Sequence, residues 1–305
     1  CLPVNIPNEE YPLILNTGRM RDQWHTMTRT ALAEKLNQHT PEAFVAIHPN
    51  DAEHYGVLNQ DIAHLTNPWG EMLARVHITD SQTQGNVFVP MHWTAQFASS
   101  GRMGVLVNPE IDPVSKQPES KHTPVRIRHF NAAWHGFILS RSELQFNTRY
   151  WIKNRCHNYY RYELADDQPL NDWHELLAVE GDWQLYQDAA KGVYRAACFQ
   201  EQQLHSVLFI APTAQQLPER DWLGSLFQKT ELERIERLAV LTGKPPLGQV
   251  DVGKIVCSCF QVGEKTICTA IKEHKFTTTE QIGQYLKAGT NCGSCVPEIK
   301  ALFKN

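Results

Sequence analysis

Four cysteines in two tight pairs constrain this chain more than any other feature: Cys257-x-Cys259, then thirty-two residues, then Cys292-x-x-Cys295. Thiolates are soft donors, and two short loops carrying four of them suit a zinc ion or an iron–sulfur cluster. The other cysteines, Cys1, Cys156, Cys198 and Cys268, are scattered, which favours a metal site in a reducing compartment over a disulfide framework. Structural zinc more often uses two C-x2-4-C knuckles. In Asn-Cys-Gly-Ser-Cys the small residues let backbone N–H groups approach the sulfurs, and a helix starting after Cys295 directs further donors toward an anionic cluster. On the residues alone iron–sulfur is favoured and zinc stays open.

Between the pairs the text is helical. Ile267, Ala270 and Ile271 fall at i, i+3, i+4 and give a first helix one apolar face. Thr277 with Glu280 forms a capping-box pattern, Ile282, Tyr285 and Leu286 continue a second helix to Gly289, and Pro297 suits the first turn of a third. Cys268 lies inside the first helix and reads as a buried small hydrophobe. This pattern, C-x-C, a helical spacer and GTNCGSC over residues 255–303, resembles the bacterioferritin-associated-ferredoxin-like (BFD-like) [2Fe-2S] domain. The resemblance implies a [2Fe-2S] cluster on Cys257, Cys259, Cys292 and Cys295. Such a centre stores one electron and transforms no substrate, so the chemistry must lie elsewhere.

The other dense signal is LNTGRMRDQWHTMTRT, residues 15–30. Gly18 permits a sharp turn, Arg19 and Arg21 offer charge for phosphate, and Trp24-His25-Thr26 sets a stacking plane beside two hydrogen-bonding groups. The set could grip a large polyanionic heteroaromatic ligand, or be an amphipathic turn before a helix. Around it, YPLILNTG, AFVAIH, DIAHLTN, EMLARVHIT and GNVFVPMHW read as strands punctuated by turns such as NPWG, which suggests a closed or partly closed barrel. These stretches, with IHPNDAEHYGV and DPVSKQPESKHTPVRI, resemble the C-terminal cofactor-binding domain of the molybdopterin bis(guanine dinucleotide) oxidoreductases, and within them the bacterial assimilatory nitrate reductases. The resemblance implies a double-psi β-barrel over residues 1–130. It also implies cofactor contacts from Thr17, Gly18, Arg19, Met20, Arg21, Asp22, Gln23, Trp24, His25 and Thr26, with Lys121, His92 and Trp93. In that family the molybdenum ligand and a [4Fe-4S] cysteine motif lie in earlier domains, and nothing here matches either. The missing initial methionine fits a chain that begins partway along a longer polypeptide.

At 305 residues the chain can bury two or three cores. Residues 131–250 predict an α+β spacer, with a hairpin in GVYRAACFQEQQLHSVLFIAP, one helix from Arg220 that ends at Gly243, and KPPLGQ as a linker to a small all-α domain at 251–305. Trp134, Trp151, Trp173 and Trp183 read as core. The net charge of −4 and the lack of basic clusters exclude a nucleic-acid partner. No apolar run approaches a membrane span, and no secretory signal is visible, so a cytoplasmic location is expected. The combined reading is the C-terminal part of a nitrate reductase that takes electrons from ferredoxin, flavodoxin or an NADH-linked flavoprotein. The alternatives are a non-catalytic electron-transfer or docking module, a zinc-stapled regulatory module, or another superfamily member such as a formate dehydrogenase.

Overall fold

The computed structural model describes residues 3–248 and 252–303. Cys1, the last linker residue Gln249 and the 250/251 boundary lie outside the described residues. The first six strands are β1 (Leu13–Gly18), β2 (Phe44–Ile47), β3 (Ile62–Asn67), β4 (Gly70–Ile78), β5 (Asn86–Pro90) and β6 (Thr123–His129). They close into a barrel in the order β1-β5-β2-β4-β3-β6. Burial alternates along β1: Leu13, Leu15 and Thr17 are buried while Asn16 faces solvent. The interior is filled by Leu15, Val45, Ile47, Leu65, Met72, Val76, Val87 and Val125, all fully buried. Each such side chain contributes about 1.5–3 kcal/mol on burial. Two strand pairs are parallel, β1 with β5 and β2 with β4, and the first of these brings the ends of two strands to one rim. Two short helices, α1 (Glu34–Asn37) and α2 (Pro49–Tyr55), flank β2.

The middle region forms a six-stranded, wholly antiparallel sheet of β7 (Trp134–Ser140), β8 (Tyr150–Cys156), β9 (Tyr159–Asp166), β10 (Asp182–Asp188), β11 (Val193–Gln200) and β12 (Gln203–Ala211), in the order β10-β11-β12-β7-β9-β8. The β11–β12 hairpin is the one expected. Of the four tryptophans expected in the core, Trp134 is buried and Trp151, Trp173 and Trp183 pack half-buried against the same cluster.

The single helix expected from Arg220 is broken into α3 (Arg220–Leu226) and α4 (Arg234–Ala239), followed by a 3-10 turn that closes on Gly243 in the left-handed region. Phe227 and Leu232 both reach the core beneath Phe137 and Phe209. Residues five apart stand about 140° apart around a straight helix, so one helix could not bury both. Glu233 then restarts the helix with a capping box to Glu236.

Barrel and sheet share a core: Ala43, Ile62, Leu73 and Trp93 pack with Tyr150, Ile152 and Ala165. Under it runs a buried polar chain. Arg75 and the Tyr150 hydroxyl both donate to Glu42, at 2.6 and 2.7 Å. Glu163 accepts from Arg220 at 2.6 Å and from Arg161 at 2.8 Å.

The C-terminal unit has a two-stranded ribbon, β13 (Ile255–Cys257) and β14 (Val262–Gly263), then α5 (Glu264–His274), α6 (Thr279–Leu286) and α7 (Val296–Leu302). Pro297 sits in the first turn of α7 as expected. The capping box is shifted by one residue: the Thr278 hydroxyl accepts from the Gln281 N–H, and the Gln281 side chain accepts from the Thr278 N–H at 3.1 Å. Glu280 instead accepts from the Thr279 hydroxyl, at 3.1 Å. Cys268 is half-buried, not buried, since the apolar face of α5 is carried by Ile267 and Ala270.

Candidate functional site

The rim of the barrel where β1 and β5 end side by side gathers part of the expected cofactor set. The Thr17 hydroxyl donates to the Val89 carbonyl at 2.7 Å, and the Met91 N–H donates to the Gly18 carbonyl at 3.1 Å. Lys121 arrives from the start of β6 and its ammonium donates to the Thr17 carbonyl. A Cβ on Gly18 would lie 3.2 Å from the Phe88 ring and 3.7 Å from the Lys121 ammonium, so the glycine keeps this approach open. Thr17, Gly18 and Lys121 therefore converge although 104 residues separate the first from the last.

His92 organises the loop that follows. Its Nε2 accepts from the Met20 N–H at 2.8 Å, which leaves Nδ1 to donate to the His25 carbonyl at 2.6 Å. Burial lowers the imidazole pKa, against the opposing effect of the His25 carbonyl, and nearby Arg19 lowers it further. The ring is neutral, which the acceptor role of Nε2 requires. Gln23 is buried too, donating to Asn37 at 3.2 Å and accepting from Thr30 at 2.6 Å. Both side chains, expected to meet the cofactor, are committed to holding the loop. Trp93 is buried in the barrel–sheet core, which draws it away from the loop surface, and its indole N–H has no partner among the described residues.

What the loop presents outward is Arg19, Trp24, His25 and Thr26, all exposed. The Arg19 guanidinium sits 4.8 Å over the Trp24 ring, and His25 meets that ring edge-on with centroids 4.6 Å apart. His25 and Met27 adopt positive φ, 43° and 60°, conformations that cost non-glycine residues energy and cluster at ligand sites. Two cations, Arg19 and Lys121, with the stacking plane of Trp24 at an open rim fit a polyanionic pterin dinucleotide. Arg21 and Asp22 differ from the rest: their side chains turn to Ser294 in the cysteine loop.

The four cysteines stand as two pairs. The Cys259 thiol donates to Cys292 at 3.4 Å, and Cys257 and Cys295 are buried together in the core of the unit. Two thiolates each about 2.3 Å from one tetrahedral metal would be about 3.8 Å apart, so Cys259 and Cys292 need little movement to hold one iron. Among the described residues no three His, Cys, Asp or Glu side chains converge on one ion. The Ser294 N–H donates to the Cys292 sulfur at 3.4 Å and lowers its pKa, while burial pushes Cys295 up to about 12. The Ser258 hydroxyl, between Cys257 and Cys259, is buried without a partner among the described residues, a donor fitted to an anionic cluster.

Comparison with known families decides the assignment. Residues 13–124 match the molydopterin dinucleotide binding domain, and residues 255–305 match the BFD-like [2Fe-2S] binding domain. This chain joins a molydopterin dinucleotide binding domain to a BFD-like [2Fe-2S] domain. It is 38% identical to "Nitrate reductase" of Klebsiella oxytoca over 96% of this chain and 34% of that protein. It is 24% identical to "Nitrate reductase" of Shewanella frigidimarina (strain NCIMB 400) over 99% of this chain and 35% of that one. "F420-dependent formate dehydrogenase 1 subunit alpha" of Methanococcus maripaludis is 36% identical over 39% of this chain and 17% of its own length. The chain thus spans about a third of the length of the two nitrate reductases. Among the described residues no helix is long and apolar enough to cross a membrane.

Ser294, Gln38, His39 and Gln261 were invisible as site residues in the sequence. Their partners lie up to 273 positions away, and no local pattern marks such a contact.

Proposed function

We propose that the chain is the C-terminal portion of an assimilatory nitrate reductase of the cytoplasm, holding molybdenum bis(molybdopterin guanine dinucleotide) at the barrel rim and receiving electrons at the four cysteines. The observation that carries this is the 38% identity to a nitrate reductase running through barrel, sheet and cysteine unit alike, over 96% of the chain. The formate dehydrogenase similarity is confined to 39% of the chain and supports shared cofactor binding more than shared substrate.

In this reading Thr17, Gly18, Arg19, Trp24, His25, Thr26 and Lys121 bind and orient the dinucleotide, and His92 holds the loop that bears them. The molybdenum, when bound, supplies removal of one oxygen from nitrate with two electrons and two protons, giving nitrite and water. Its ligand and a [4Fe-4S] cluster belong to the part of the polypeptide upstream. The donor is ferredoxin, flavodoxin or an NADH-linked flavoprotein.

Metal and nucleotide analysis of the full-length protein tests the reading. It expects molybdenum with two guanine nucleotides, the [2Fe-2S] centre in addition to any upstream cluster, and nitrite formed in step with nitrate consumed. Formate oxidation without nitrate reduction would favour the second reading, and protein free of molybdenum and nucleotide would favour an electron-transfer module.

A further inference from the structure

The cysteine loop and the loop leaving β1 are bound to each other by side-chain hydrogen bonds. Ser294, between the ligand cysteines Cys292 and Cys295, is buried with every hydrogen-bonding group engaged. Its N–H donates to the Cys292 sulfur at 3.4 Å, its hydroxyl donates to Asp22 at 2.6 Å, and its carbonyl accepts from the Arg21 guanidinium. Asp22 is itself held: its second oxygen lies 2.8 Å from His39 Nδ1, and the two side chains are only 13% and 14% exposed. The other ligand loop is tied to the same part of the barrel, because Gln261 donates both to the Ser258 carbonyl at 2.8 Å and to Gln38 at 3.1 Å. Both cysteine loops therefore rest on the barrel, one on Arg21 and Asp22 shortly after Gly18 and the other on Gln38 beside His39.

We infer that Arg21 and Asp22 are positioning residues that clamp the Cys292–Cys295 loop onto the pterin-binding loop and place one positive and one negative charge beside the cluster. The inference rests on the reading of the four cysteines as [2Fe-2S] ligands. The potential of such a centre responds to nearby charge and to hydrogen bonds on its sulfurs. The Asp22 carboxylate opposes addition of an electron, and the Arg21 guanidinium favours it. Through Ser294 the two residues also fix the N–H that points at Cys292. The clamp sets both the distance between the two cofactors and the driving force between them.

The test is redox titration of the [2Fe-2S] EPR signal in the full-length, metal-loaded protein, comparing Asp22→Asn and Arg21→Gln with the parent, alongside hydrogen exchange of residues 290–296. The expected result is a higher potential in D22N and a lower one in R21Q. In both variants amide exchange over 290–296 should be roughly ten- to hundredfold faster, the scale of losing a hydrogen bond to a charged group. Simple loosening of the fold would not move the potentials in opposite directions. Unchanged potentials in both variants, shifts of the same sign, or unchanged exchange at 290–296 would overturn the clamp. Should the parent show no [2Fe-2S] signal, the cluster reading fails by itself, and the clamp then stands or falls on the exchange rates.

Discussion

Replacing Cys292 with serine should strip the [2Fe-2S] centre from the protein and reduce turnover with the physiological donor to background. A serine hydroxyl is a much harder and less readily ionised donor than the thiolate it would replace, and the centre is held by four such ligands. Cys292 is exposed whereas Cys257 and Cys295 are buried in the C-terminal core. C292S should therefore keep its fold, and Cys295→Ser should in addition destabilise the unit by placing a hydroxyl where a thiol packs. Iron and labile sulfide counts, with the visible spectrum, measure the first effect. The ratio of donor-linked to dye-linked nitrate reduction measures the second, because a small dye can deliver electrons away from the cysteines. Donor-linked turnover unchanged in C292S would remove the cysteine unit from the electron route.

The largest effect on stability is expected at Glu163, 1% exposed and flanked by Arg161 and Arg220. Burial alone would raise its pKa, but Arg220 and then Arg161 outweigh burial and hold it down at about 2. Glu163→Gln leaves two guanidinium groups, 18% and 15% exposed, without their counter-charge. Breaking a buried pair by removing one partner costs about 3–5 kcal/mol, a fall in melting temperature on the order of 10 °C for the barrel–sheet unit. The depressed carboxylate also fixes a pH dependence. Its stabilisation is fully present above the unfolded glutamate value of about 4.3 and is lost as pH falls toward the folded value of about 2. Thermal melts between pH 6 and 3 should show E163Q losing less stability with acid than the parent. Equal melting temperatures at neutral pH would mean that the arginines find other partners.

Much of this molecule could be read from local text. The alternation of LILNTG and the short apolar run FVAI specify strands whatever else the chain does, and Gly243 and Pro297 mark helix ends through backbone geometry alone. The helix break between Leu226 and Arg234 was not legible, because it depends on Phe227 and Leu232 sharing one distant core. The one-residue shift of the capping box, from Thr277 to Thr278, comes from which threonine meets the Gln281 amide, and both choices satisfy the motif. At the site, the residue types around Thr17–Thr26 left a ligand grip and an amphipathic turn both open, the family resemblance pointed to the dinucleotide, and neither told which side chains would be spent internally. Gln23 and His92 look like ligands in sequence and act as loop braces in space. Arg21 and Asp22 look like phosphate and ring contacts, and their partner is Ser294, 273 and 272 positions away.

In the proposed function the cysteine unit and the barrel serve one electron path ending on nitrate. The most direct measurement is the [2Fe-2S] EPR signal of the full-length protein, reduced with a limiting amount of donor and then mixed with nitrate. The account predicts that the reduced signal disappears on mixing, with one nitrite formed for every two electrons withdrawn. A signal that stays reduced in the presence of nitrate, while nitrite is still produced from a dye, would contradict it.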